Sequence, residues 1–173
     1  MSSSDQIPVD ENANVDYESD EGAPSLWSSR SLSSASDIHR YEHGRRYHSF
    51  RDGSYWAPND PLNAVHETVW HHMMLVVLDD RLHLAPVSSP RHVIDLGTGT
   101  GLWAADFADS HEDAEVWGID LSIVPGPTPP NLRFIVDDIC SEWAYNTVFD
   151  FVHIRSLYGS IADWPFLYKQ CFE

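Results

Sequence analysis

The eleven residues Val93–Trp103, VIDLGTGTGLW, constrain this chain more than any other stretch. Val93, Ile94 and Leu96 make a short apolar run of strand character. Glycines at 97, 99 and 101 then let the backbone turn sharply and approach a ligand closely. From Leu102 the pattern is helical, so the glycines also present N–H groups at a helix start. A strand, glycine turn and helix in that order form the first half of a βαβ unit.

The residues that follow repeat the alternation. Apolar strand candidates are His92–Leu96, Glu115–Ile119, Arg133–Val136 and Phe149–Ile154, with a helix between the first two from Leu102 to about Ser110. A last helix opens at Asp163-Trp164-Pro165, an acid cap followed by an early proline. Strands alternating with helices predict an α/β fold built on a parallel sheet. Four strands are fewer than the six or seven usual in doubly wound sheets, so residues 91–173 read as the first half of a domain.

Upstream, Asp60-Pro61 opens another helix, which the pattern extends to about Leu84, where Pro86 and Ser88-Ser89-Pro90 end it. Its apolar positions Leu62, Val65, Val69, Met73, Val76 and Val77 predict one buried stripe. Residues 38–60, rich in Tyr, His and Arg, lack a clean period and read as an ordered arm across the domain. Residues 1–37 hold eight acidic side chains and one arginine, many serines and few large apolar groups. That composition predicts a disordered, solvated tail. Tryptophans 56, 70, 103, 117, 143 and 164 are read as core or arm packing.

Charge and composition exclude several classes. The formal net charge is −17, and one lysine in 173 residues leaves nothing to track phosphates, which argues against direct nucleic-acid binding. The sequence has no run of 18 apolar residues and no charged-then-apolar amino terminus, the marks of a membrane span or a secretory signal. Cys140 and Cys171 form no disulfide framework or metal spacing, which fits a reducing intracellular compartment. His66, His71, His72 and His83 share a helix but lack the H-E-x-x-H zinc spacing, so no metal is expected.

The spacing of the loop narrows its ligand. It is G-x-G-x-G, with Asp95 two residues before Gly97, whereas dinucleotide loops read G-x-G-x-x-G and seat a pyrophosphate. A carboxylate at the strand end disfavours an anionic phosphate and favours a ligand carrying ammonium and sulfonium groups. No Gly-Lys-Ser/Thr follows, which removes the Walker-type reading. Asp120 ends the next strand, 23 residues after Gly97, where an acid can accept hydrogen bonds from ribose hydroxyls. Asp137 and Asp138 close the third strand, where a carboxylate can accept an adenine amine and the Ile139 N–H can reach a ring nitrogen. Together these features point to S-adenosylmethionine rather than NAD.

The order DLGTGTG, GID, VDD, FDFVHIR is similar to that of class I S-adenosylmethionine-dependent methyltransferases. With YEHGRRYH (Tyr41–His48), HHMMLVVLDDRLHLAP (His71–Pro86) and GSIADWPFLYKQCFE (Gly159–Glu173), residues from about 38 onward resemble the LaeA-like fungal methyltransferases. The resemblance implies a Rossmann-like fold and a role in regulating secondary metabolism. It assigns Asp95, Gly97, Thr98 and Gly99 to the methionine part of the cofactor, Asp120 and Leu121 to the ribose, and Asp138 and Ile139 to the adenine. Asp137 is a neighbour of that last pair, and Tyr47 or Arg46 would close over the cofactor's carboxylate end. Members of that family continue through a glycine turn and three more strands. The methyl acceptor, protein or small molecule, is not named by the residues, and no catalytic residue is assigned. His153 and Arg155 face the reacting region, but a histidine at a strand end is more often structural. The expected setting is the nucleus or the cytoplasm; the nucleus comes from the resemblance alone, as the sequence carries no basic import cluster. Two other readings stay open: a non-catalytic module binding a regulatory partner through tail and arm, and a truncated, inactive fragment.

Overall fold

The computed structural model describes residues 39–49, 55–122 and 128–173. The expectation of a disordered tail over 1–37 lies outside the described residues. The element order is β1 (His39–Glu42), β2 (Arg45–His48), α1 (Pro61–Val77), β3 (His92–Leu96), α2 (Leu102–Ser110), β4 (Glu115–Asp120), β5 (Leu132–Val136), β6 (Phe151–Ile154) and α3 (Trp164–Phe172). The parallel sheet runs in the order β5-β4-β3-β6, so β3 is central and the glycine loop leaves from the middle of the sheet.

Each face of the sheet carries its own core. On one side Val93, Val116 and Leu132 meet Trp103, Ala104, Phe107 and Ala108 of α2. On the other, Ile94, Leu96, Trp117 and Ile119 meet Ile139, Ile161 and Leu167 of α3. Consecutive strand residues point to opposite faces, so a strand buried on both sides must be apolar at nearly every position. β3 meets that demand at Val93, Ile94 and Leu96, and Asp95 is its buried polar exception. The result is the expected α/β, Rossmann-like arrangement of a parallel sheet between helices.

The strand and helix bounds follow the sequence closely, with three differences. β6 begins at Phe151 rather than Phe149, because the Asp150 carboxylate instead accepts the amides of Arg91 and His92 at 2.7 and 2.9 Å. The arm contains an antiparallel hairpin that its irregular sequence did not announce. Its two-residue turn is His43-Gly44, both with positive φ (49° and 76°), the geometry a tight hairpin needs. The third difference is α1, which ends at Val77 rather than near Leu84. Asp79 and Asp80 take left-handed conformations (φ 52° and 59°), and the Asp80 N–H donates back to the Leu75 carbonyl at 2.8 Å.

The predicted burial of the α1 stripe is also overturned. Leu62, Val65, Val69, Met73, Val76 and Val77 are all exposed, Val76 to 76 %. The fully buried residue of this helix is His71, 2 % exposed. Val69 and His71 lie about 200° apart around the helix axis. Hydrogen bonds from His71 hold the polar face inward, which leaves the apolar stripe outward. Trp56 and Trp70 likewise depart from the packing role read from sequence, being 70 % and 41 % exposed.

Phe107 is the centre of the α2 core: it is wholly buried and stacked between Trp103 and His111, at 5.0 and 4.0 Å between ring centroids. Phe107→Ala should therefore cost about 3–5 kcal/mol in chemical denaturation; a loss under 1 kcal/mol would mean that this core is not packed as described.

Candidate cofactor cavity

The carboxyl ends of β3, β4, β5 and β6 open into a cavity of about 410 Å³. Asp95, Gly97, Thr98, Gly99, Asp120, Leu121, Asp137, Asp138 and Ile139 all line it. Tyr47 does not. Neighbours on a strand point to opposite sides, so Arg46 and His48 face the cavity while Tyr47 lies beneath the Arg40 guanidinium, 5.3 Å from its ring centroid.

The glycine loop is tied down by its own amides. The N–H groups of Gly97 and Thr98 donate to the Ile119 carbonyl at 2.8 and 2.9 Å, and that of Gly101 to the Thr98 carbonyl at 2.9 Å. Gly99 N–H donates to Asp120 Oδ2 at 2.9 Å. The amides of Gly97, Thr98, Gly99 and Gly101 are thus bonded within the protein and are not free to cradle a phosphate. Gly101 (φ 77°) admits no side chain, since an added Cβ would lie 2.4 Å from the Phe134 ring.

Asp95 is 3 % exposed, and both its oxygens are engaged. Oδ2 accepts the Thr98 hydroxyl, and Oδ1 accepts from His153 Nδ1, each at 2.7 Å. This pairing places the His153 proton on Nδ1 and leaves Nε2 with its lone pair. The ring lies flat on Trp103, 3.6 Å between centroids and 5° between planes.

Asp120 accepts the amides of Gly99 and Ser122. Burial nevertheless holds its carboxyl above the usual range, with Asp95 adding to the effect. Asp138 folds the loop after β5, accepting the Cys140 amide and the Ser141 hydroxyl, each at 2.9 Å. Asp137 accepts its neighbour's amide and the Tyr145 hydroxyl, both at 2.8 Å. The Ile139 N–H, by contrast, finds no acceptor among the described residues.

Sequence reasoning missed the contribution of α1. Asn63, Glu67, Trp70 and His71 all line the cavity from the face opposite the apolar stripe. Glu67 Oε1 accepts from Asn63 Nδ2 at 2.7 Å, and Oε2 would lie 2.7 Å from a Cβ on Gly99. Burial, then the nearby Asp120, raises the Glu67 carboxyl. The polar spacing 63, 67, 71 was the available signal. Of the other histidines expected on this helix, His72 contacts the Thr68 carbonyl, while His83 lies beyond the helix end, against the Ala85 carbonyl and the Phe107 and Phe151 rings. Among the described residues, no group of three His, Cys, Asp or Glu could hold a metal ion, and no helix is long and apolar enough to cross a membrane.

A parallel sheet with a glycine loop after its central strand and acids at the ends of the next two is the architecture of a methyltransferase domain. The chain belongs to that family, whose model matches residues 69–173. Its curated relatives are LaeA-like. Methyltransferase pytC of Aspergillus terreus is 45% identical over 162 residues, covering 90% of this chain and 50% of the relative. Secondary metabolism regulator LAE1 of Cochliobolus heterostrophus is 41% identical over 138 residues, 76% of this chain and 45% of the relative. Protein-methionine methyltransferase laeA of Emericella nidulans is 34% identical over 155 residues, 87% and 41%. The chain therefore spans about half the length of the curated relatives it matches or somewhat less. No solved structure matches it significantly.

His48 gives the site a pH signature. Burial, with His39 and Arg46 adding repulsion, lowers its pKa from 6.5 to about 4. A depressed histidine stays neutral in the folded protein while the unfolded chain protonates, so its contribution to stability falls as pH drops from about 6.5 towards 4. In imidazole NMR titration, His48 should remain neutral at pH 6; a midpoint at 6 or above would show that β2 does not bury it.

Proposed function

We propose that this chain binds S-adenosylmethionine in the cavity above β3 and serves methyl transfer to an acceptor held beside it. The observation that carries the reading is that the loop amides of Gly97, Thr98, Gly99 and Gly101 are bonded within the protein, together with carboxylates along the same rim. Such a rim repels phosphates and suits a ligand with a positive sulfur, an ammonium group and a nucleoside. Asp120 retains lone-pair capacity for ribose hydroxyls beyond the two amides it accepts. The unpaired Ile139 N–H can donate to an adenine ring nitrogen, with Asp137 and Asp138 beside it.

The cofactor would supply an activated methyl group. The protein's task is alignment and exclusion of water, since methyl transfer is an in-line displacement. Asp95 fixes the loop through Thr98 and orients His153, whose Nε2 lone pair can take a proton from a hydroxyl or amine acceptor. A thioether acceptor, as the name of the Emericella relative indicates for that protein, needs no base. Under this reading residues 38–90 form an arm and helix that close the cavity, and residues 91–173 form the first half of the cofactor-binding domain. An intracellular setting, nuclear or cytoplasmic, accords with it.

Titration calorimetry of the folded chain with S-adenosylmethionine should show one binding site, and Asp120→Ala should weaken it by roughly tenfold or more. A folded protein that takes up no heat with this ligand would end the proposal. Labelled methyl transfer into a fungal extract should depend on the protein; well-measured binding without transfer would reduce the activity to cofactor binding.

A further inference from the structure

Arg155 follows β6 and lines the cavity, partly buried, with no carboxylate within ion-pairing distance among the described residues. Among the described residues its one hydrogen-bond partner is His71, where Arg155 Nη2 lies 3.0 Å from Nδ1. A guanidinium can only donate, so His71 Nδ1 must carry a lone pair there. The imidazole proton then sits on Nε2, which donates to Asp106 Oδ2 at 2.8 Å. Asp106 on α2, His71 on α1 and Arg155 after β6 thus form one directed chain, and the buried His71 fixes the direction of the guanidinium. One of its five N–H groups is spent on this; the others have no acceptor among the described residues.

A cation drawn partly out of water without a counter-charge is costly. Burial already disfavours its charged form, and Asp95 only partly offsets this. Asp95 itself is committed to Thr98 and His153. The other cavity arginine is no substitute, because Arg46 donates to the Asn59 side chain and main-chain carbonyl.

The order of strands indicates what fits. Along the sheet edge, Asp138 follows β5, Asp120 ends β4, Gly97–Gly99 follow β3 and Arg155 follows β6. Four adjacent strands place those groups in a row about 14 Å long. Under the function proposed above, adenine, ribose and sulfur occupy the first three places in that order. We propose that Arg155 receives the α-carboxylate at the far end of the cofactor, and that His71 and Asp106 are positioning residues that aim it. A carboxylate on the acceptor has the same chemistry, and the test separates the two sources.

The test compares S-adenosylmethionine with its decarboxylated analogue, which lacks only this group, on the full chain by calorimetry. Arg155→Gln should weaken S-adenosylmethionine by roughly 10- to 100-fold and change the decarboxylated ligand by less than about twofold. His71→Phe should produce part of the same selective loss, and His71→Gln, whose carbonyl can accept from the guanidinium, should restore some of it. Far-ultraviolet circular dichroism confirms that each variant is folded. Equal loss for both ligands would reduce Arg155 to a structural role and overturn the assignment. Unchanged affinity for both would pass the anion site to the acceptor and overturn it too. Wild-type protein that binds neither ligand would remove the proposed function and this inference with it.

Discussion

Asp95 is the constraint on which the rest of this structure depends. A carboxylate at the centre of a parallel sheet cannot remain without partners, because an unpaired buried charge costs several kcal/mol. Its two oxygens therefore recruit the Thr98 hydroxyl from the glycine loop and the His153 imidazole from the adjacent strand. Register makes the second bond available, since Asp95 and His153 are direct neighbours across β3 and β6. The ring so fixed lies on Trp103, which belongs to the same core as Phe107. One carboxylate thus links loop, edge strand and helix.

The loop acts as a rigid floor for the cavity. The amides of Gly97, Thr98, Gly99 and Gly101 are consumed by Ile119, Thr98 and Asp120, so the loop's role is shape and a negative rim. Burial raises the carboxyls of Asp120 and Glu67 for the same reason that it makes them useful: few waters reach them. A cationic ligand, or hydroxyl donors, would replace the lost solvation. That is the physical basis of the proposal that the cavity takes a sulfonium cofactor and not a phosphorylated one.

Helix α1 has two faces with different tasks. One carries Asn63, Glu67 and His71 into the cavity, and the other exposes Leu62, Val65, Val69, Met73 and Val76. Hydrogen bonding decided between them. His71 satisfies both ring nitrogens only when turned towards Asp106 and Arg155, and no comparable partner was available to the apolar stripe. The hairpin β1–β2 adds Arg46 and His48 on the same side, while Arg45 anchors it by pairing with Asp60, the cap of α1.

Much of the fold was legible in the sequence because its signals are local. Strand β3, the three glycines, helix α2 and the acids at the ends of β4 and β5 follow from residue type and spacing within about 30 positions. The capping pairs Asp60-Pro61 and Asp163-Trp164-Pro165 likewise located two helix starts. Periodicity also identified the stripe on α1, but it specifies that a face exists and not what covers it. The orientation of α1, the inward placement of Glu67 and His71, and the displacement of Tyr47 by Arg46 and His48 were decided by tertiary structure. So was the chain from Asp106 through His71 to Arg155, whose members lie 35 and 84 residues apart in pairs. The sequence alone determined which loop and which acids stand at the sheet edge, since backbone geometry and strand period demand them. Only the folded chain decided which side chains face them, because that choice depends on hydrogen-bond partners brought together from distant segments.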